Sequence, residues 1–153
     1  MIKAGERAPE FSLPDETAND RSLTELLSLG AIILYFYPTD FTPACTRQAC
    51  AMRDMNEVLQ RSGLRVVGIS PQSPASHAKF KEKHQLPHVL LSDEDKVVIK
   101  MYGVNGPFGF GVRRATYLID LGRKVQDAVL ADFSIGRHTD FVRKAAALRA
   151  AQM

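Results

Sequence analysis

Ala31-Ile32-Ile33-Leu34-Tyr35-Phe36-Tyr37-Pro38-Thr39-Asp40-Phe41-Thr42-Pro43-Ala44-Cys45-Thr46-Arg47-Gln48-Ala49-Cys50 is the stretch that decides the architecture. Its first seven residues are apolar or aromatic without a polar break, the pattern of a strand buried on both faces. Pro38 ends that strand. Thr42-Pro43 then reads as a helix start, a hydroxyl cap followed by proline in the first turn. Cys45 is thereby placed near the positive end of a helix dipole, where free N–H groups stabilise an anion. Cys50, the only other cysteine, lies five residues further along the same helix.

Outward from this unit the elements alternate. Phe11-Ser12-Leu13 and polar Pro14 to Asp20 predict a hairpin arm with a turn, and Ser22 to Leu27 a short helical turn. The helix opened by Pro43 is expected to run unbroken to about Ser62, closed by Gly63. Leu64 to Ser70 is a second buried strand, Ser76 to Gln85 a helix, and Val89 to Leu91 a brief strand. Glu94 to Tyr102 predicts a helix ending at Gly103, and Ala115–Asp120 with Lys124–Leu130 a hairpin about Gly122. The last helix is expected from Thr139 to Ala151. Strands alternating with helices and then a hairpin specify an α/β domain with a central mixed sheet flanked by helices, a single domain over residues 1–153.

The composition narrows the function classes. Hydrophobic residues make up 45% and charged residues 24%, ordinary for a globular chain of 153 residues. The 20 basic and 17 acidic residues are interspersed, with no basic stripe or aromatic-basic interleaving of the kind nucleic-acid binders show. No run approaches the roughly 18 apolar residues of a membrane span, and Met1 to Arg7 has no apolar core of signal-peptide length. A cytoplasmic protein is expected, in which a cysteine pair is catalytic or metal-binding more often than a static staple.

On an intact helix, five residues rise about 7.5 Å and leave the Cα atoms roughly 8–9 Å apart, beyond the ~7 Å a disulfide tolerates. Cys45 and Cys50 can therefore bond only if the first turns unwind. A metal centre is not indicated, since His77, His84, His88 and His138 show no finger-like spacing with the cysteines; all four are expected to be ordinary surface or capping histidines. Nor is this the Cys-x-x-Cys of a thiol-disulfide exchanger. One activated thiol with a delayed partner suits attack on an electrophile such as a peroxide, the second thiol condensing with the resulting sulfenic acid. A redox sensor built on the same unwinding stays open as an alternative, as does an exchanger without peroxide preference.

Pro38-x-x-x-Thr42-x-x-Cys45 resembles the peroxiredoxin active-site signature, and the Cys-x-x-x-x-Cys spacing resembles the bacterioferritin-comigratory-protein (PrxQ) branch. Gly5-x-x-Ala8-Pro9-x-Phe11-x-Leu13, Gly68-Ile69-Ser70, Ser73-Pro74, His77-x-x-Phe80, Leu90-Leu91-Ser92-Asp93 and Arg114 to Asp120 are similar to further family elements, so that the resemblance spans nearly the whole chain. It implies a thioredoxin-like fold and thioredoxin-dependent reduction of hydrogen peroxide or organic hydroperoxides, without cofactor or metal. It further implies Cys45 as peroxidatic and Cys50 as resolving cysteine, joined as an intramolecular disulfide. Thr42 would aim its hydroxyl at peroxide and thiolate, Pro38 would shield the loop, and Arg114 would be the active-site arginine. PrxQ-like relatives are often monomers, and a monomer is expected here. Gln48 stands where many relatives carry glutamate, which leaves its part in the arginine network open.

Secondary signals are weaker. Strand alternation puts Arg113 opposite Arg114, a solvated position, and Arg47 and Arg53 are expected at the surface or in salt bridges. Gly103 to Gly111 lacks the Lys-Ser/Thr of a phosphate loop and is expected to be a mobile connection, with Phe108 and Phe110 as an apolar rim for bulky hydroperoxides. Phe141, Val142, Ala145 and Leu148 recur at helical spacing and predict a core-facing stripe.

Overall fold

The computed structural model describes residues 1–109 and 111–152, with all side chains of these except that of Gln152. The strands are β1 (Ser12–Pro14), β2 (Asp20–Ser22), β3 (Ile32–Phe36), β4 (Arg65–Ser70), β5 (Val89–Ser92), β6 (Ala115–Ile119) and β7 (Val125–Leu130). The helices are α1 (Leu23–Leu27), α2 (Pro43–Asp54), α3 (Asn56–Arg61), α4 (Pro74–His84), α5 (Val97–Met101) and α6 (Ile135–Gln152), with a 3₁₀ turn at Pro107–Gly109. β1 and β2 form the expected N-terminal hairpin as a separate two-stranded sheet, and the other five strands form one sheet in the order β5-β4-β3-β6-β7. β3 is its centre, parallel to β4 and antiparallel to β6. A parallel neighbour requires a crossover helix, which α2 and α3 supply between β3 and β4, and α4 between β4 and β5. The β6–β7 hairpin completes the far edge in antiparallel pairing.

All five β3 residues are buried, because each face of the strand has its own core. Ile32, Leu34 and Phe36 join Phe11, Leu23, Leu26, Ile99, Tyr102 and Tyr117 on one side. Ile33 and Tyr35, with Tyr37 just beyond the strand, join Cys45, Met52, Leu59, Phe80 and Val142 on the other. Helices α1 and α5 cover the first side, and α2, α3, α4 and α6 the second. Gly68 on β4 lies opposite Tyr35. A Cβ there would meet the Tyr35 ring at 2.9 Å and Leu90 at 3.1 Å, so the close approach of that ring requires glycine.

Four sequence expectations are corrected. The single helix from Pro43 to Ser62 is two helices, broken at Met55 (φ −90°, ψ −2°). Neither glycine nor proline marks the break, but Asp54 and Asn56 flank it, short polar residues that compete with helical hydrogen bonding. The helix expected from Glu94 begins only at Val97, since Asp93 captures the Ile99 N–H at 2.7 Å and Lys96 is left-handed (φ 58°). The last helix starts at Ile135, ahead of Thr139, because the Ser134 hydroxyl accepts the Arg137 N–H at 3.3 Å. In that helix Val142 and Ala145 are buried, but Leu148 is 54% exposed, so the core-facing stripe stops short of it.

Candidate active site

The C-terminal end of β3 delivers the chain to Pro38, and Pro43 opens α2 two residues before Cys45. Cys45 is the third helical residue, inside the first turn, where backbone N–H groups lack helical acceptors. The cap differs from expectation. Thr42 occupies the N-cap position, yet its side chain makes no capping bond and instead donates to the Thr39 carbonyl at 3.0 Å. Its residue is exposed, and its hydroxyl is held within the loop rather than on Cys45.

Cys45 itself is only 2% exposed. Arg114, just before β6, is 4% exposed and reaches across the sheet so that Nη2 donates to Cys45 Sγ at 3.2 Å. Its Nη1 donates to Gln48 Oε1 at 2.6 Å. Gln48, one turn along α2 from Cys45, is fully buried, and the structure gives it a defined role as the arginine's neutral partner. A carboxylate there would offset the guanidinium charge; the amide leaves that charge directed at sulfur. Two buried donors of these same side chains, Arg114 Nε and Gln48 Nε2, have no partner among the described residues. Unpaired buried donors are uncommon and costly, and their presence beside a thiol suits a site that receives an oxygen-rich ligand.

Arg114 is fixed from outside the pocket. Its backbone N–H donates to Asp132 Oδ1 at 3.0 Å, and its carbonyl accepts from Ala131 N at 3.1 Å. Arg113 points the other way, as strand alternation requires, pairing with Asp132 Oδ2 at 2.9 Å on the surface. Burial raises the Asp132 carboxyl, but the Arg113 contact and the Arg114 N–H outweigh it and the net shift is downward. Arg53 donates to the His84 carbonyl at 2.7 Å and pairs with Asp54, and Arg47 is exposed; both are peripheral to the sulfur.

Pro38 and Arg114 line one open cleft with Asn105, Val112 and Phe133. Of the expected aromatic rim, Phe108 is not among the cleft's described lining residues and Phe110 lies outside the described residues; Phe133, as fully exposed as Phe108 and not singled out from the sequence, does line the cleft. Residues 103–109 are tied in by an Asn105–Val112 bridge and the Pro107–Gly109 turn. Cys50 is half-buried on α2, and both thiols are free.

The histidine expectation fails for three of four. Only half-exposed His84 fits it, edge-on to Phe80. His88 is buried, its Nε2 2.9 Å from the Tyr35 hydroxyl, and burial pushes its pKa down to about 3, so the ring is neutral. His138 is buried between Thr116 Oγ1 (2.8 Å) and the Ala131 carbonyl (2.8 Å), its pKa lowered chiefly by burial. His77 is fully buried between Asp40 Oδ2 at 2.6 Å and the Leu91 carbonyl at 3.0 Å. A single histidine carries no periodic signal that distinguishes a buried partner from a surface group, and these partners lie 7 to 53 residues away in sequence.

A buried helix-start thiol under a guanidinium is the arrangement of a protein that uses cysteine as a nucleophile. Residues 4–128 match the AhpC/TSA family model. Peroxiredoxin Bcp of Escherichia coli (strain K12) is 40% identical over 147 residues, covering 92% of this chain and 93% of its own. A peroxiredoxin bcp of Coxiella burnetii is 44% identical over 125 residues, covering 78% and 82%. Among solved structures, peroxidoxin BcpB from Mycobacterium tuberculosis superposes with a TM-score of 0.89 at 38% identity, covering 99% of this chain and 98% of that one. The chain belongs to the AhpC/TSA family, within its Bcp/PrxQ peroxiredoxins, with their thioredoxin-like fold and thiol peroxidase class of activity.

Proposed function

We propose that Cys45 reduces hydrogen peroxide and organic hydroperoxides, that Cys50 resolves it, and that a thioredoxin-type dithiol restores the pair. The observation that carries this is the Arg114 Nη2 to Cys45 Sγ contact of 3.2 Å between two buried side chains. The guanidinium stabilises thiolate, and its planar donors also suit peroxide oxygens. The thiolate attacks one peroxide oxygen; the O–O bond breaks, giving Cys45 sulfenic acid and, after proton uptake, water or an alcohol. Negative charge grows on the leaving oxygen, so the unpaired Arg114 Nε and Gln48 Nε2 donors favour the transition state over the ground state. Thr42 would join them by turning its hydroxyl from the Thr39 carbonyl toward the peroxide, while Pro38 shields one wall.

Cys50 then attacks the sulfenic sulfur, releasing water and closing the disulfide. Both cysteines ride one continuous helix, which must unwind locally for that bond to form. The reductant attacks the disulfide by thiol exchange. The protein acts as a cytoplasmic monomer of one domain. Peroxide consumption with thioredoxin and its reductase tests the assignment. Cys45→Ser should abolish it; Cys50→Ser should keep one stoichiometric oxidation and lose turnover. Near-normal turnover in Cys45→Ser would remove Cys45 as nucleophile.

A further inference from the structure

Asp40 lies in the loop between β3 and α2, yet it is 4% exposed, and three side chains meet its carboxylate. Tyr37 donates its hydroxyl to Oδ1 at 2.6 Å, Ser76 donates to Oδ2 at 2.8 Å, and His77 Nδ1 lies 2.6 Å from Oδ2. The other ring nitrogen of His77 faces the Leu91 carbonyl at 3.0 Å, which can only accept. Nε2 therefore carries a proton. The Nδ1–Oδ2 contact needs a second proton, which the two side chains hold between them. Burial raises the Asp40 carboxyl, but the bonds from His77, Tyr37 and Ser76 outweigh burial and bring it below its usual range.

The loop is fastened to the same place by its backbone. Gln72 accepts the Asp40 N–H at 3.0 Å and donates to the Pro38 carbonyl at 3.1 Å, while Ser70 holds the Gln72 carbonyl oxygen at 2.6 Å. Between Asp40 and the N-cap, Phe41 is left-handed (φ 69°), an uncommon state for a bulky residue, and its ring leans on Phe80 of α4. Such a conformation persists only where surrounding contacts over-determine it. Here those contacts come from Ser76, His77 and Phe80 of α4 and from Gln72 just after β4.

We propose that Asp40 and His77 are a positioning pair that clamps the Pro38–Thr42 loop to α4 and β5 and so holds the closed Cys45 site against the unwinding that Cys50 needs. Neither residue touches the sulfur; they act through the loop that ends in the first turn of α2. A tight clamp favours peroxide attack, which needs Cys45 and Arg114 in register, and opposes disulfide closure, which needs them apart. The kinetic half of this proposal rests on the peroxidase reading above; the clamp itself does not.

Two variants test it, Asp40→Asn and the milder Tyr37→Phe, which deletes one hydroxyl donor to Asp40 and leaves the charges in place. In the reduced protein, amide hydrogen exchange over residues 38–50 should accelerate about tenfold or more in Asp40→Asn and about two- to fivefold in Tyr37→Phe, with β3 and β4 unchanged. In stopped-flow work with hydrogen peroxide, oxidation should slow while disulfide closure speeds up. A role confined to general stability would accelerate exchange everywhere and slow both steps together, and that result overturns the proposal. So does unchanged exchange in Tyr37→Phe, which decides the matter if Asp40→Asn does not fold. If wild type forms no sulfenic acid, the peroxidase reading fails, and the exchange result alone still decides the clamp.

Discussion

The two faces of the central sheet are built from one strand but to different rules. Even-numbered residues of β3 enter a core whose neighbours are almost wholly apolar, from Phe11 and Leu26 to Ile99. Odd-numbered ones enter a core that also holds polar groups. Tyr35 bonds His88, Tyr37 bonds Asp40, and the neighbouring β6 side turns Arg114 and Thr116 the same way toward Cys45 and His138. Burying such groups lowers stability unless each finds a partner. The difference shows where this fold spends burial on packing and where it spends it on chemistry.

The comparison can be broken most sharply at Arg114. Arg114→Lys keeps a positive charge but loses the planar donor set, and the second-order rate of Cys45 oxidation should fall about 10²-fold or more, measured by stopped-flow fluorescence or competition. On the apolar face, Leu34→Ala should cost about 2–5 kcal/mol of unfolding free energy by denaturant titration, while the folded fraction oxidises at the wild-type rate. Equal loss of rate in both variants would erase the distinction between the faces.

A smaller effect concerns acid. His88 is held neutral down to about pH 3 in the folded protein, whereas the unfolded chain protonates it near its ordinary 6.5. The unfolded state thus binds the extra proton as pH falls between those values, and stability declines with it by at most about 1.4 kcal/mol per pH unit. Above that window the contribution is complete. His88→Gln should flatten this limb in melts taken from pH 7 to pH 4; an unchanged slope would show that His88 does not set it. The smallest effect is expected at the cleft. Phe133→Ala should lower the preference for cumene hydroperoxide over hydrogen peroxide about threefold to tenfold, while Phe108→Ala leaves it unchanged.

Much of the first face and the order of elements was legible in the sequence, because both rest on local signals. The apolar run from Ala31 to Tyr37, Pro43 in a first helical turn and the hairpin about Gly122 each announce a backbone state. Cys45, Cys50 and Arg114 were singled out through motif spacing and resemblance, and of these the structure brings Arg114 onto Cys45. The second face was less legible. Asp40, Gln72, His77 and His88 gain their roles only from partners in other elements, and nothing in a helix or strand period distinguishes His77 from His84. Gln48 was in view without a role, since its partner lies 66 residues away. The break at Met55 was hidden for a different reason, as it carries no glycine or proline.

The central claim is that Cys45 is oxidised and Cys50 then closes on it. Rapid-quench intact mass spectrometry of the reduced protein with one equivalent of hydrogen peroxide tests it most directly. The account predicts loss of two hydrogens within about a second, as two thiols and one peroxide become a disulfide and two waters, with no such loss in Cys45→Ser. An unchanged mass over minutes would contradict it.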